Sequence, residues 1–173
     1  MNGHDVEMMK TVREAIKKSD IEALEKLFEE QPDVLQWITA FGTWLHDAAV
    51  HHKKEVVLYL IQKGVDVNKH GTVADCGAIT NVAQKGYLDI VKILYENGAK
   101  MEVSNSARNP LFAAIYGGHY EVAKFLIDKG IDITASYSIG NLENVDAYEY
   151  ARQFGQLEIA DYIKEKLEAK KIH

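Results

Sequence analysis

The sequence predicts an all-α solenoid of about five helix–turn–helix units, which stack along one axis and carry extended finger loops. Three observations predict this fold: a period of 32 to 37 residues, an apolar stripe at helical spacing in each period, and a helix-ending position at a fixed place in each period. A unit of this size cannot bury its apolar face alone, so the copies must stack on one another.

The period appears when one apolar anchor is chosen in each copy: Val12, Leu45, Ile79, Leu111 and Tyr148. Seven residues after each anchor stands one of Ser19, His52, Gly86, Gly118 and Gly155. We expect the first helix of each copy to end there, because glycine accepts the left-handed backbone that often follows a helix. A later glycine ends the second helix of the three central copies: Gly64, Gly98 and Gly130.

The second half of each copy carries the apolar stripe. Counting four, five, eight and nine residues on from the position that ends the first helix gives twenty residues, of which nineteen are apolar. This spacing marks one face of an α-helix, and the exception is Lys164 in the last copy. The predicted units are residues 8–36, 41–69, 75–103, 107–135 and 144–171, within one domain of residues 1–173.

The composition bears on the partner. Asp and Glu outnumber Lys and Arg by 26 to 20, for a net charge of −6, whereas nucleic-acid binding needs a basic surface. The acidic balance favours a basic protein partner, because opposite charges speed encounter. The single cysteine, Cys76, forms no internal disulfide, and no run of 18 apolar residues could span a membrane. We therefore expect a cytoplasmic monomer that binds neither nucleic acid nor membrane.

No arrangement of residues indicates catalysis, a metal or a cofactor. His51 and His52 are adjacent, so on a helix they point about 100° apart and cannot hold one ion. No His or Cys pair has zinc-site spacing, and no glycine-rich phosphate loop is present. The alternative, an enzymatic or small-molecule site on the finger loops, would depend on one polar cluster: Asp75, Arg108 and Glu143.

The repeat resembles the ankyrin repeat, which has a Thr-Pro-Leu-His start and a period near 33 residues. One copy matches at Thr43, Leu45, His46, Ala48 and Ala49, and another at Pro110, Leu111, Ala114, Gly118, His119 and Glu121. The resemblance implies that His46 bonds the Thr43 hydroxyl and that the chain binds a protein through a concave groove and its finger loops. A likeness to compact bacterial ankyrin proteins implies, more narrowly, a toxin-neutralising immunity protein.

The resemblance places recognition on the finger loops and on the groove side of the first helices. The residues predicted to bind the partner are Trp44, His51, Asp75, Lys85, Arg108, Tyr116, Tyr137, Glu143 and Phe154. Tyr116 and Phe154 are expected to form an apolar strip across the groove, with Arg108 on the finger above. Trp44 replaces the motif proline, and packing against Trp37 or Phe41 is an equally good prediction for it.

Overall fold

Helices arranged in successive pairs make up most of the protein. The computed structural model describes residues 3–71 and 75–170, and in these ranges five helix pairs follow one another. The pairs are α1 (Gly3–Lys18) and α2 (Ile21–Glu30); α3 (Trp44–Val50) and α4 (Lys54–Gln62); α5 (Ala78–Lys85) and α6 (Leu88–Glu96); α7 (Pro110–Gly117) and α8 (Tyr120–Asp128); α9 (Ala147–Gln153) and α10 (Leu157–Lys170). A 3₁₀ helix, Pro32–Gln36, follows α2.

Two finger loops contain short strands, which the prediction of an all-α fold did not include. Strand β1 (Ile38–Thr39) pairs antiparallel with β2 (Gly42–Thr43), and β3 (Tyr137–Ile139) pairs antiparallel with β4 (Leu142–Val145). Gly140 lies at the turn of the second hairpin with φ of 60°, the left-handed backbone that a tight hairpin turn requires. The fold is therefore mostly helical, with two small hairpins before α3 and α9.

The helices stack in two rows. Successive first helices contact one another from α1 through α9, and α4, α6, α8 and α10 do the same in the second row. The predicted stripe is buried or half-buried in every second helix, and Lys164 is exposed. Largest among the fully buried side chains are Trp44, Ile16, Leu24, Leu45, Leu60, Ile90, Leu94, Leu111, Ile115, Leu126, Ile133 and Ile163. The stripe thus forms a core that continues from one pair to the next.

The predicted ends of the first helices are confirmed. Gly86 and Gly118 cap α5 and α7 in the left-handed conformation, and Gly155 has φ of 70° after α9. Ser19 and His52 occupy the same place with φ of 56° and 57°, although they are not glycines. The domain limits at residues 1 and 173 stay a prediction, because both lie outside the described residues.

Candidate functional site

A pocket of about 210 Å³ opens where the first helices of the central copies meet the finger loops. Helix α5 supplies one wall and α7 the other, and the loop residues close the end. The lining residues are Cys76, Thr80, Asn81, Gln84, Ser106, Ala107, Phe112, Ala113, Tyr116 and Tyr150. None of these ten side chains is charged, in a chain of which 27% is Asp, Glu, Lys or Arg. We call this feature the neutral pocket.

Five aromatic rings run from the last finger loop onto the groove. Tyr137 contacts Phe112 at 4.9 Å, Phe112 stacks on Tyr150 at 4.6 Å, Tyr150 lies 4.6 Å from Phe154, and Phe154 lies 5.4 Å from Tyr116, all between ring centroids. We call this row the aromatic ladder. Its inner member, Phe112, is buried, whereas Tyr116 is 55% exposed and Phe154 is 43% exposed. The two residues predicted to form an apolar strip therefore lie side by side at the open end of the ladder.

Burial and hydrogen bonding fix the inner part of the ladder. The Tyr137 hydroxyl donates to the carbonyl oxygen of Val103 at 2.8 Å and accepts from Nδ2 of Asn109 at 3.0 Å. Burial raises the pKa of Tyr137 and the pKa of Tyr150, so both phenols stay protonated at neutral pH. Tyr137 thus ties the second hairpin to the preceding loop, while the groove end of the ladder remains accessible.

Trp44 is not available to a partner, and the prediction that it binds one is wrong. Its side chain is fully buried, and its indole Nε1 donates to the carbonyl oxygen of Val34 at 2.7 Å. Trp44 begins α3, which contacts α1, so the large ring fills space between the first two helix pairs. A buried indole needs a partner for its N–H, and the 3₁₀ helix supplies that carbonyl.

Arg108 belongs to an ion-pair cluster between finger loops. Its guanidinium donates to the carboxylate of Asp75, to the carbonyl oxygen of Asp75 at 2.9 Å and to Glu102 at 3.3 Å. His70 lies 3.2 Å from the Asp75 carboxylate and 2.9 Å from that of Glu102. The hydrogen bond from Arg108 holds the pKa of Asp75 below its usual range. Arg108 is therefore ion-paired within this finger cluster of Arg108, Asp75, Glu102 and His70, and its role in binding the partner stays a prediction.

Glu143 does not join the finger cluster. It is exposed on β4, and within residues 3–71 and 75–170 it makes no ion pair with Asp75 or Arg108. The three-residue polar site required by the enzymatic alternative is thus not assembled. In the same ranges no group of three His, Cys, Asp or Glu side chains could hold a metal ion.

The two remaining predicted residues lie at the ends of first helices. His51 is exposed after α3, with Nδ1 2.8 Å from the carbonyl oxygen of Asp47. The Asp47 carboxylate receives a 2.6 Å hydrogen bond from Arg13. Lys85 is exposed in the last turn of α5, one residue beyond Gln84 of the neutral pocket. Both side chains are thus exposed at the carboxyl ends of first helices.

His46 has the structural role that the resemblance implied. Its Nε2 lies 3.1 Å from the carbonyl oxygen of Cys76, which can only accept, so Nε2 carries the proton and Nδ1 accepts from the Thr43 hydroxyl at 2.9 Å. Burial lowers the pKa of His46 and keeps the ring neutral. The imidazole links one copy to the next finger loop and is not free to bind a ligand.

Of the ten residues that line the neutral pocket, sequence reasoning predicted only Tyr116 as partner-binding. Asn81 and Tyr150 are two of the nine that it missed. Both follow from helical spacing once the groove residues are known. Asn81 precedes Gln84 by three positions on α5, and Tyr150 precedes Phe154 by four positions on α9, so each pair shares a helix face. The repeat register alone did not identify them, because it singled out only the last turn of each first helix.

A family model recognises the repeats. The model described as ankyrin repeats in three copies matches residues 45–137 and, one repeat further on, residues 79–172. These matches together cover well over half of the chain. Among the helices that the structure describes, none combines the length and the apolar character needed to cross a bilayer.

Curated proteins of several organisms share the repeats. Alpha-latrocrustotoxin-Lt1a of Latrodectus tredecimguttatus is 32% identical over 130 residues, 73% of this chain and 9% of that protein. A putative ankyrin repeat protein of Rickettsia felis is 27% identical over 127 residues, 69% of this chain and 51% of that protein. Palmitoyltransferase AKR1 of Lachancea kluyveri is 35% identical over 94 residues, 51% of this chain and 13% of that protein. The chain spans about half of one relative and a small part of the other two.

Proposed function

This chain belongs to the ankyrin-repeat family, whose members generally act as protein–protein interaction modules, and from that premise we propose that it binds a protein partner in the groove of its first helices. One observation carries the proposal. Tyr116 and Phe154 hold two large rings in contact on the surface, beside a pocket without charge. Exposed rings grouped in this way are typical of a surface that another molecule covers.

The energetics of an interface support the same assignment. Tyrosine is among the residues that contribute most to binding, because its ring buries a large area at little cost in side-chain entropy. The Tyr116 ring already rests against Phe154, so its orientation is partly fixed before a partner arrives. Such preorganisation lowers the entropy lost on binding.

The rim of the groove carries the polar part of the proposed interface. His51 and Lys85 lie at helix ends, and Glu143 lies on the second hairpin, all exposed. Rim charges affect the rate of encounter more than the strength of the complex. Because the chain has a net charge of −6, we propose that it acts as a monomer and binds a basic partner. Attraction between opposite charges would then increase the association rate.

Two other roles lack support. The toxin-neutralising role has no support in the comparisons. The enzymatic alternative lacks its three-residue polar site, since Arg108 is bound to Asp75 but Glu143 does not join them. A cytoplasmic location belongs to the proposal, and the single buried thiol of Cys76 is consistent with it.

Site-specific photo-crosslinking tests the proposed groove. A benzophenone amino acid is introduced at Gln84, which lines the neutral pocket, or at Leu58, which is exposed on the second helix α4. The chain is irradiated in the cells that produce it. We expect one protein to be crosslinked from position 84 and not from position 58. The same protein crosslinked equally from both positions, or from position 58 alone, would contradict binding in the groove.

A further inference from the structure

We infer that the groove captures an extended peptide segment of its partner, and that the neutral pocket takes one uncharged, apolar side chain of that segment. The inference rests on the proposed function, because it specifies what the partner presents to the same groove. Three properties of the pocket carry it: the lack of charge, the unused amide and hydroxyl groups, and the size.

The lack of charge in the pocket disfavours a charged side chain of the bound segment. The walls at Asn81, Gln84 and Ala113 are neutral, and the floor at Phe112 is a buried aromatic ring. On the finger loops, the guanidinium of Arg108 is ion-paired with the carboxylates of Asp75 and Glu102, so these charges are already engaged with one another. A lysine, arginine or glutamate side chain entering the pocket would lose its hydration without gaining an opposite charge, whereas an apolar side chain would gain from burial.

The polar groups of the pocket suit a peptide backbone. The Oδ1 atom of Asn81 accepts from the Cys76 thiol at 3.2 Å, so the Asn81 amide keeps its two N–H donors. Within the described ranges, these donors, the Gln84 side-chain amide and the Tyr116 hydroxyl make no hydrogen bond to another residue of the chain. Such neutral donors and acceptors match the N–H and C=O groups of peptide bonds.

The same groups favour an extended segment. In a helix or an internal strand of a folded partner, backbone N–H and C=O groups already bond to one another. Only an extended or loop segment offers them to Asn81 and Gln84. The pocket volume is about 210 Å³. It can admit one large side chain in place of a few water molecules, but it is too small for a folded element.

Blocked pentapeptides test the inference with the full chain. The probes are acetyl-Ala-Ala-X-Ala-Ala-amide with X as Leu, Phe, Lys or Glu, and Kd is measured from amide shifts in NMR titrations. We expect the Leu or Phe peptide to bind at least about tenfold more tightly than the Lys and Glu peptides, because an unpaired charge would be desolvated. Equal Kd values for all four, or no shift at about 5 mM peptide, would overturn the inference.

The variant Asn81→Asp gives a second, opposite readout. An aspartate keeps an oxygen to accept from the Cys76 thiol but adds a negative charge to the pocket. The ratio of Lys-peptide to Leu-peptide affinity should rise at least about tenfold, since the charge now has a partner. Phe41→Ala is the matched control, because Phe41 is an exposed ring on the first hairpin, away from the pocket. Its peptide affinities should equal those of the parent, and melting temperatures confirm folding.

An unchanged affinity ratio in Asn81→Asp, in a variant that melts like the parent, would also overturn the inference. Its failure is distinct from that of the proposed function. If a protein crosslinks from position 84 but docks through a folded or charged surface, the proposed function holds. Only the inference that the groove binds an extended peptide is then wrong.

Discussion

Ser19 has the left-handed backbone that glycine adopts at the same place in the three later copies. A φ of 56° destabilises the folded state by about 1–2 kcal/mol for a residue that has a side chain, relative to glycine. Glycine also gains more conformational entropy in the unfolded state, which offsets part of this difference. Ser19→Gly should therefore raise the free energy of unfolding by about 0.5–1 kcal/mol, measured by urea denaturation.

Gly155→Ser is the reciprocal change and serves as the control. Gly155 has φ of 70°, and a Cβ atom added there would meet no atom within 4 Å, so only the backbone preference changes. We expect a loss of about 0.5–1 kcal/mol. Shifts in the same direction for both substitutions would show that something other than backbone conformation governs this position.

At single positions, the sequence predicts where the backbone must be left-handed. It does not predict as well whether a large side chain on a helix faces the core or the solvent. The register placed Ser19 and His52 at the glycine position, and both are left-handed. The same register showed only that Trp44 departs from the motif proline. Whether the ring points to solvent or to the core depends on space between α1 and α3, which is a property of two copies together.

At the scale of elements, the turn between α7 and α8 is held against the preceding copy. The Nε2 atom of His119 lies 3.0 Å from the carbonyl oxygen of Gln84. The His119 ring also covers Gly86 and Gly117, leaving no room for a side chain at either: a Cβ atom at Gly117 would lie 2.4 Å from the Gln84 oxygen. The imidazole thus fastens α7 to α5.

Gly117→Ala tests this fastening. In an unobstructed helix such a change is neutral or stabilising, because alanine has the higher helix propensity. At Gly117 we expect a loss of at least about 1 kcal/mol in the free energy of unfolding, since the added methyl group forces neighbouring atoms apart. Gly3→Ala in α1 is the control, because no atom lies within 4 Å of its added Cβ. Equal effects of the two changes would rule out close packing at this turn.

Helices were predictable as elements, and the hairpins were not. Nineteen of the twenty stripe positions are apolar, and such a pattern specifies a helix wherever it occurs. The strands are only two to four residues long, so their alternation is too brief to stand out from an extended loop. The groove end of the ladder was predictable from the register, whereas Asn81 and Tyr150 follow from helical spacing only once Gln84 and Phe154 are known to face the groove.

For the whole molecule, the proposed binding surface exists only because the copies stack. The neutral pocket draws residues from α5, α7 and α9 and from two finger loops, so no single copy contains it. The core beneath it includes the fully buried residues Leu111 of α7 and Leu126 of α8. Surface and core substitutions in one copy should therefore have separable effects on binding and on stability.

The most direct test compares Tyr116→Ala with Leu126→Ala, using the crosslinked partner and thermal unfolding. Tyr116→Ala should weaken binding at least about thirtyfold, the equivalent of about 2 kcal/mol for an interface anchor, and should lower stability by less than about 1 kcal/mol. Leu126→Ala removes a fully buried side chain and should lower stability by about 2–5 kcal/mol. If Tyr116→Ala instead unfolds the chain as Leu126→Ala does, or leaves partner affinity unchanged, the groove is not the binding surface.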